Sequence, residues 1–325
     1  MRYIYNDSIE LYFNLALEEY FLKQTDEEYF ILWRNEPCIV VGKNQNTLSE
    51  IHLEFVKEKN IKVVRRLTGG GAVFHDLGNI NFTFIVNDES SFNDFKGFVA
   101  PIIGTLKTLG IDAEFSGRND MLIEGKKFSG NAQCKHKSRV MHHGTLLFSS
   151  NMNDLSGALK PKDIKFSDKS VKSVASRVTN ISEHLENKLS VLEFKDEIFR
   201  YISSNTQSPI DSLTQEEIEK INKLRDEKYS TWEWNFGNSP KYSFYNEKRF
   251  AAGTFEVHID VLKGIIKDIK IFGDFFGKND ISELEASLKN ISHEKSSISK
   301  TLSNIDISKY ITNITLDELI GLLIE

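Results

Sequence analysis

The pattern of apolar and polar positions predicts helices that alternate with buried strands over the first two thirds of the chain. Residues 10–24 place Phe13, Leu17 and Phe21 at helical spacing. β-Branched and aromatic runs bounded by turn residues predict buried strands. These strands are expected near 30–34, 38–42, 61–64 and 80–86. Further helices are expected at 49–60, 92–109 with a kink or late start at Pro101, 191–203 and 214–228.

The first of these helices carries one narrow polar stripe, formed by Glu10, Asn14 and Glu18 at four-residue spacing. Apolar residues surround the stripe on both sides. A polar strip on a helix is most simply a solvated face, and the periodicity favours that interpretation. The alternative interpretation is that Glu18 lines a pocket.

The last third of the chain has its own hydrophobic pattern. Residues 254–261 alternate polar and apolar, turn at Lys263 and Gly264, and return through 265–272, which predicts a half-buried antiparallel hairpin. Amphipathic helices are expected near 280–290 and 314–324. We therefore predict a domain at 1–236, a linker at 237–242 and a smaller α+β domain at 243–325, a size that is sufficient for independent folding.

Composition narrows the class of protein. The 325 residues are 40% hydrophobic with a net charge of −6, which argues against a broad nucleic-acid-binding surface. No apolar run approaches a membrane span, and the start of the chain lacks the apolar core of a signal peptide, so we expect a cytoplasmic protein without a membrane partner. Cys38 and Cys134 are the only cysteines, which disfavours a disulfide framework or a cysteine-based zinc site.

The most informative stretch is the segment from Arg65 to Asp76, which contains Gly69, Gly70 and Gly71 between two predicted strands. Three glycines leave backbone that a ligand can approach closely. Adjacent arginines supply forked donors suited to carboxylate or phosphate, so the segment is consistent with an anion-binding loop. A glycine-rich hairpin with two solvated arginines explains the same pattern equally well.

Two further blocks carry candidate chemistry. Residues 116–133 predict a short strand, a hairpin centred on Gly125 and a second strand, with Lys127 just past the turn. Spacing alone also allows Lys126 and Lys127 to be ordinary exposed lysines. In the third block, His142 and His143 are adjacent in a predicted strand and must point to opposite faces. A metal centre built on both histidines is therefore disfavoured.

These three blocks, taken in order, resemble the lipoate-protein ligases. The resemblance rests on Arg-Arg-x-x-Gly-Gly-Gly-Ala-Val-Phe-His-Asp at 65–76, on Gly-Arg-Asn-Asp at 117–120 with Lys-Lys-Phe-Ser-Gly-Asn-Ala-Gln at 126–133, and on His-His-Gly-Thr-Leu-Leu at 142–147. It extends to motifs around Glu18, Trp33 and Trp234. The resemblance implies an α+β catalytic domain with a mostly antiparallel mixed sheet and flanking helices, shared with biotin ligases, followed by a small C-terminal α+β accessory domain.

The resemblance also implies a reaction in which lipoate and ATP form lipoyl-adenylate, and the lipoyl group passes to a lysine of a lipoyl carrier domain. The expected carriers are apo lipoyl domains of 2-oxoacid dehydrogenase acyltransferases or the glycine-cleavage carrier protein, and neither this choice nor the oligomeric state follows from the sequence. Lys127 is the expected catalytic residue. The residues expected to bind ATP or the adenylate are Arg66, Gly71, Ala72, Val73, Phe74, Asn119, Asp120 and Lys127. Those expected at lipoate are Glu18, Trp33, Gly70 and His143, and Asp120 is the expected oxygen ligand of Mg²⁺.

Two alternatives remain at this stage. Acyl amidotransferases share the catalytic fold, use a cysteine acyl-enzyme and need no ATP. Cys134 is the candidate nucleophile for that chemistry, although a buried cysteine is more often a small hydrophobic residue. The other alternative is a non-enzymatic lipoyl-binding protein. We rank it last because the charged groups that adenylation needs are all in the sequence.

Overall fold

The computed structural model describes residues 1–159, 177–204, 210–236, 244–262 and 264–324. Its strands are β1 (Arg2–Tyr5), β2 (Tyr29–Trp33), β3 (Cys38–Val41), β4 (Lys62–Arg65), β5 (Val73–His75), β6 (Asn79–Val86), β7 (Ala113–Ser116), β8 (Asp120–Ile123), β9 (Lys126–His136), β10 (Arg139–Leu147), β11 (Ile210–Asp211), β12 (Phe244–Phe250), β13 (Gly253–Leu262) and β14 (Ile265–Gly273). Its helices are α1 (Leu11–Lys23), α2 (Thr47–Glu50), α3 (Leu53–Glu58), α4 (Phe95–Thr108), α5 (Met152–Ala158), α6 (Val191–Ser203), α7 (Gln215–Leu224), α8 (Trp232–Asn235), α9 (Ile281–Ser287), α10 (Lys295–Leu302) and α11 (Leu316–Ile324).

The chain forms two compact units. The first contains Met1–Val40, Glu50–Val64 and Val73–Thr231, and the second contains Val41–Ser49, Arg65–Ala72 and Trp232–Glu325. The glycine triplet therefore belongs to the second unit, although it lies between two strands of the N-terminal half. The predicted linker at 237–242 lies outside the described residues, so the predicted domain boundaries stay a prediction.

An eight-stranded sheet forms the centre of the first unit, in the order β11-β1-β2-β6-β10-β9-β8-β7. β1 runs parallel to both of its neighbours, and the other pairs are antiparallel. One face packs on α4 and α6 through an apolar core that includes Phe30, Phe82 and Phe194. The opposite face carries α1, whose Glu18 bonds to Thr83 of β6. The predicted α+β class with a mostly antiparallel mixed sheet is confirmed.

Local sequence explains where these elements begin and turn. Glu10 begins α1 because its carboxylate accepts from the N–H groups of Tyr12 and Phe13. Between β8 and β9, Glu124 and Gly125 have φ values of 51° and 75°, as a two-residue hairpin with both central residues at positive φ requires. The predicted hairpin at 116–133 is confirmed, and Lys127 lies at its second strand's start.

Some predicted elements need correction. The helix expected at 49–60 is two short helices, α2 and α3, interrupted at Ile51, which instead bridges to Leu159. α4 begins at Phe95 and continues through Pro101, so it does not start late at that proline. The glycine loop is not a hairpin turn, because β4 and β5 lie on either side of β3 in a separate three-stranded sheet.

The second unit contains the three-stranded antiparallel sheet β12-β13-β14. The predicted hairpin of β13 and β14 and the helix near the C-terminus are confirmed. β12 and α10 were not predicted, because Phe244–Phe250 is rich in charged residues and Lys295–Leu302 is rich in serine. Apolar side chains of this sheet and of α9, α10 and α11 form a separate core.

Candidate active site

A buried polar cluster joins α1 to the sheet in the first unit. The Thr83 hydroxyl donates to Glu18 Oε1 over 2.6 Å, and His143 Nδ1 donates to the same oxygen over 2.9 Å. Trp33 Nε1 donates to Thr83 Oγ1 over 2.9 Å. Glu18 and Trp33 are 1% and 2% exposed. Three predicted site residues, Glu18, Trp33 and His143, are thus brought together through Thr83, which the sequence reasoning missed.

This cluster corrects the interpretation of the polar stripe on α1. Asn14 and Glu18 are fully buried, so the stripe is not a solvated face. Asn14 donates to Asn35 Oδ1 and to two backbone carbonyls, which explains its burial. The pocket interpretation of Glu18 agrees better with its burial than the solvated one.

Lys127 is paired with Asp120 across the β8–β9 hairpin. Lys127 Nζ lies 2.7 Å from Asp120 Oδ1, and both side chains are more than a third exposed. The Lys127 backbone is fixed on both sides, because its N–H donates to Arg177 O and its carbonyl accepts from Thr179 N–H. The hairpin therefore places a partly exposed charged tip on a base held by hydrogen bonds. The polar segment 172–180 is predicted from its sequence to be a mobile or substrate-contacting loop, and its residues 172–176 lie outside the described residues.

A β-bulge determines which way Lys127 points. Leu122 pairs with Lys127 and Met121 with Ser129, so Phe128 is the extra residue on β9. The bulge puts Lys127 on the same face as Gly130, although the two are three residues apart. A Cβ added at Gly130 would lie 3.0 Å from Lys127 Nζ. Gly130 therefore makes room for the ammonium group.

The strand register places these residues on one row across the sheet. Asp120 pairs with Gly130, the Gly130 N–H donates to Thr145 Oγ1, and Thr145 pairs with Asn81, which pairs with Trp33. Thr83 and His143 pair in the next row of the same face. The ion pair of Lys127 and Asp120 and the aromatic side chain of Trp33 therefore lie at opposite ends of one row.

The neighbouring Asn119 does not offer its amide to this face. Its Nδ2 donates to Asn131 O, and its carbonyl accepts from Asn131 N–H and Nδ2. Asn119 therefore holds β9 beside the hairpin. Its expected contact with phosphate stays a prediction.

His142, which the sequence analysis gave no role, supports Asn131 from the core face. His142 Nε2 donates to Asn131 Oδ1, and Nδ1 accepts from Gln133 Nε2 over 3.0 Å. Its ring stacks on Phe98 at a centroid distance of 4.8 Å. Complete burial, with His143 adjacent, holds the pKa of His142 well below its usual value, so the ring is neutral. The sequence signal that could have revealed this role is the placement of Asn131 and Gln133 two residues apart on β9, with His142 on the paired strand β10.

The glycine loop of the second unit is folded around the buried side chain of Arg66. Arg66 is 5% exposed and donates to Thr68 Oγ1 and to the carbonyls of Gly69 and Gly71. Arg66 thus shapes the loop from inside. Its expected contact with the adenylate stays a prediction.

Arg65 is not the ligand donor that the sequence suggested. It is 1% exposed, and its guanidinium donates to backbone carbonyls and one hydroxyl. These acceptors are the carbonyls of Gly42, Lys43, Gln45, Trp234 and Asn235 and Thr47 Oγ1. Burial lowers the pKa of Arg65 to about 10. Arg65 therefore joins residues 42–47 to 234–235 and is a structural residue.

The structure accounts differently for glycine at positions 69, 70 and 71. A Cβ at Gly69 would lie 2.3 Å from Phe275 O, and Gly70 has φ of 92° with Arg66 Nη2 2.9 Å from an added Cβ. An added Cβ at Gly71 meets only Asp274 Cβ, at 4.0 Å. Packing therefore requires glycine at 69 and 70. Nothing among the described residues requires glycine at 71, and its expected contact with the adenylate stays a prediction.

The remaining predicted loop residues divide between the units. Ala72 ends the second unit's segment, whereas Val73 and Phe74 begin β5 in the first. Phe74 is buried and pairs with Ile39. Its side chain is therefore core, and only its backbone remains a candidate for ligand contact.

Cys38 and Cys134 differ in burial and in position. Cys38 is fully buried, and burial raises the pKa of its thiol. Cys134 is on β9 four residues beyond Gly130, about 13 Å along the strand. This spacing separates Cys134 from the lysine tip.

Comparisons with known proteins show the family of the chain. A family model for the lipoyl protein ligase A/B catalytic domain matches residues 10–203, and one for the bacterial lipoate protein ligase C-terminus matches 239–323. Lipoate-protein ligase LplJ of Bacillus subtilis is 45% identical over 316 residues, covering 95% of this chain and 96% of the relative. The chain therefore belongs to the lipoate-protein ligase family, as the sequence motifs predicted.

Solved structures extend the similarity to the fold. The crystal structure of P. falciparum LipL1 in complex with lipoate matches with a TM-score of 0.80 at 30% identity, covering 99% of both chains. A lipoate-protein ligase A bound with ATP matches with a TM-score of 0.64 at 27% identity, covering 73% of this chain and 98% of that one. The predicted ATP-dependent ligase class is confirmed.

No helix in the described part of the chain has the length and apolarity that crossing a membrane requires.

Proposed function

We propose that this protein activates lipoate with ATP to lipoyl-adenylate and transfers the lipoyl group to a lysine of a lipoyl carrier domain. The observation that carries the proposal is the row across the sheet, with Lys127 and Asp120 at one end and Trp33 at the other. A fatty acid with a charged head and a bulky apolar tail matches that polarity. The similar chains that bind lipoate and ATP support the same assignment.

In the first step, a lipoate carboxylate oxygen attacks the α-phosphorus of ATP. The new bond joins carboxylate to phosphorus, the α–β phosphoanhydride bond breaks, and pyrophosphate leaves. Two anions must meet, so a positive group between them lowers the barrier. Lys127 is assigned this role, because its ammonium lies at the tip of a rigid hairpin and over a glycine. Exposure of more than a third leaves it accessible to both substrates.

The glycine loop is assigned to the adenylate by the family resemblance. The backbone N–H groups of Gly71, Ala72, Val73 and Phe74 supply donors, and Arg66 holds the loop in shape through its carbonyl contacts. Gly70 is assigned to lipoate on the same grounds. These roles require little side-chain bulk, which agrees with the open space at Gly71.

The acyl chain is assigned to the face that carries Trp33, Glu18 and His143. Glu18 is held by two hydrogen bonds and in turn fixes the His143 ring and the Thr83 hydroxyl. The cluster thereby forms a rigid wall whose polar atoms bond to one another. A rigid wall selects its ligand by shape.

Magnesium fits this site only together with nucleotide. Among the described residues no group of three His, Cys, Asp or Glu side chains is arranged to hold a metal. Mg²⁺ in nucleotide sites is commonly held by one or two carboxylates plus substrate phosphates. Asp120 would supply one such carboxylate oxygen, and the ion would neutralise phosphate charge.

In the second step, the carrier lysine's ε-amine attacks the acyl carbon of lipoyl-adenylate. The amide C–N bond forms, the acyl–phosphate C–O bond breaks, AMP leaves, and the amine loses its proton to solvent. We expect apo lipoyl domains of 2-oxoacid dehydrogenases or the glycine-cleavage carrier to be the acceptors, and the cytoplasm to be the site of reaction.

The test is the mass gain of an apo lipoyl domain incubated with the protein, lipoate and ATP. A lipoyl mass increment that requires ATP is the predicted result. An amidotransferase would be indicated if transfer needs no ATP, if Cys134→Ser loses transfer, and if a thioester can be trapped on the wild type. Lipoate binding without any transfer to either carrier class would indicate a binding protein.

A further inference from the structure

Two asparagines lie on the face that we assign to the acyl chain. Asn79 and Asn81 alternate with Ile80 and Phe82, which point into the opposite core. Asn79 Nδ2 donates to Asn81 Oδ1 over 2.9 Å, and Asn81 is 2% exposed. Among the residues that the structure describes, Asn81 Nδ2 and Asn79 Oδ1 have no hydrogen-bond partner. The pair therefore leaves one buried donor and one buried acceptor unsatisfied.

The unsatisfied amide donor of Asn81 contrasts with Thr83, the next residue of β6 on this face, whose hydroxyl is fully bonded. Thr83 donates to Glu18 and accepts from Trp33, so both its hydrogen and an oxygen lone pair are used. Buried polar groups without partners are costly and rare in native structures. A bound ligand atom that accepts from Asn81 would remove that cost.

The row across the sheet indicates which ligand atom that is. Asn81 lies two strands from Gly130 and one strand from Trp33. Neighbouring strands are about 4.8 Å apart, so Asn81 is roughly 10 Å from Gly130, beside which Lys127 Nζ lies. The lipoate sulfur atoms are bonded to the sixth and eighth carbons. With C–C bonds of about 1.5 Å, these carbons lie roughly 6–9 Å from the carboxyl carbon in an extended chain.

We propose that the Asn81 carboxamide donates a hydrogen bond to a dithiolane sulfur and thereby selects lipoate over saturated acids of the same length. Sulfur is a weak acceptor, whereas a methylene group accepts nothing. A saturated chain would leave the buried donor unpaired, so it should bind less tightly. The inference rests on the proposed function, because a carboxylate at Lys127 determines how far the tail reaches.

The test is calorimetric titration of the full-length protein with three acids in the absence of ATP. The acids are lipoate, octanoate and 5-cyclopentylpentanoate, the last having the ring shape of lipoate with carbon in place of sulfur. The wild type should bind lipoate about 3- to 10-fold more tightly than the cyclopentyl acid, as expected for one net hydrogen bond. In Asn81→Leu the ratio of the affinity for lipoate to that for the cyclopentyl acid should fall to within about twofold of one. The main reason is that the cyclopentyl acid should bind better.

Asn81→Ala is the second variant, which carries the test if Asn81→Leu does not fold. It also removes the donor, so the ratio should again approach one, even if the extra space weakens all three acids. A wild-type ratio retained in a folded variant overturns the inference. Equal loss for every acid also overturns it, because that pattern reflects packing alone.

A parallel assay of lipoyl transfer separates this inference from the proposed function. If the wild type transfers lipoate with ATP but the ratio does not depend on Asn81, only the inference fails. If the affinity ratio depends on Asn81 but neither the wild type nor the variants activate lipoate, the inference stands and the proposed function fails. If the wild type binds none of the three acids, both fail.

Discussion

The lysine hairpin and the glycine loop both carry adjacent basic residues, yet they use them in opposite ways. Lys127 is exposed by more than a third, and Asp120 is its carboxylate partner in the described part of the hairpin. Arg65 and Arg66 are buried, and their guanidinium groups contact carbonyls and hydroxyls of their own unit. In the proposed reaction the hairpin presents a charge to a ligand, whereas Arg66 shapes the loop whose backbone N–H groups are assigned to the adenylate. Residue type alone does not distinguish these roles, but hydrogen-bond partners do.

The strongest test of this comparison is to remove the charge of Lys127. Lys127→Ala should reduce pyrophosphate release with lipoate and ATP by about 10²–10³-fold, the usual effect of losing one transition-state donor. Its melting temperature should change little, because the ammonium makes an exposed ion pair. Lys126→Ala is the matched control and should keep wild-type activity, since that lysine is exposed. Pyrophosphate release within a few-fold of wild type in Lys127→Ala would show that the assignment is wrong.

Removing the structural charge should act on stability instead. Arg65→Met leaves several carbonyls without donors and should lower the free energy of unfolding by about 3–5 kcal/mol. Chemical denaturation followed by circular dichroism measures this loss. Unchanged stability together with loss of ATP binding would mean that Arg65 contacts the nucleotide after all.

Gly130→Ala moves the charge without removing it. The new methyl group would lie 3.0 Å from Lys127 Nζ, and the flexible lysine tip can shift away at little cost to the fold. We expect adenylation to fall about 10- to 100-fold with nearly unchanged stability, because catalysis depends on placement at the level of an ångström. Full activity in this variant would argue against a fixed position for the ammonium.

The glycine loop can be tested by comparing two of its members. Gly71→Ala should fold normally, since the nearest atom to the new Cβ is 4.0 Å away, yet bind ATP about 10-fold less tightly. Gly69→Ala is the control, and it should lose stability because Phe275 O lies 2.3 Å from an added Cβ. If ATP binds Gly71→Ala as tightly as wild type, the backbone at 71 does not approach the nucleotide closely.

The smallest expected effect concerns the neutral ring of His142. Its pKa is lowered in the folded state, so the unfolded state binds a proton more readily. Stability should therefore fall as the pH drops below about 6.5, by up to about 1.4 kcal/mol per pH unit. His142→Gln should lower stability at pH 7.5 but remove this part of the decline toward pH 5.5. An identical decline in the variant would assign the pH dependence to other groups.

Local patterns in the sequence predicted most of the elements and the hairpin that carries Lys127. They could not predict the burial of Glu18, because its partners Thr83 and His143 come from strands 65 and 125 residues away. The role of Arg65 was missed for the same reason, since Trp234 and Asn235 are remote in sequence. The bulge at Phe128 was also invisible, because register depends on the partner strand.

The most direct test of the central claim supplies the intermediate that Lys127 is proposed to help form. Lys127→Ala would be given an apo lipoyl domain with either lipoate and ATP or pre-made lipoyl-adenylate, and the carrier's mass would be followed over time. We predict almost no transfer from lipoate and ATP, but transfer from lipoyl-adenylate within about 10-fold of wild type, because the presented charge serves mainly the activation step. Equal losses from both donors would contradict that account.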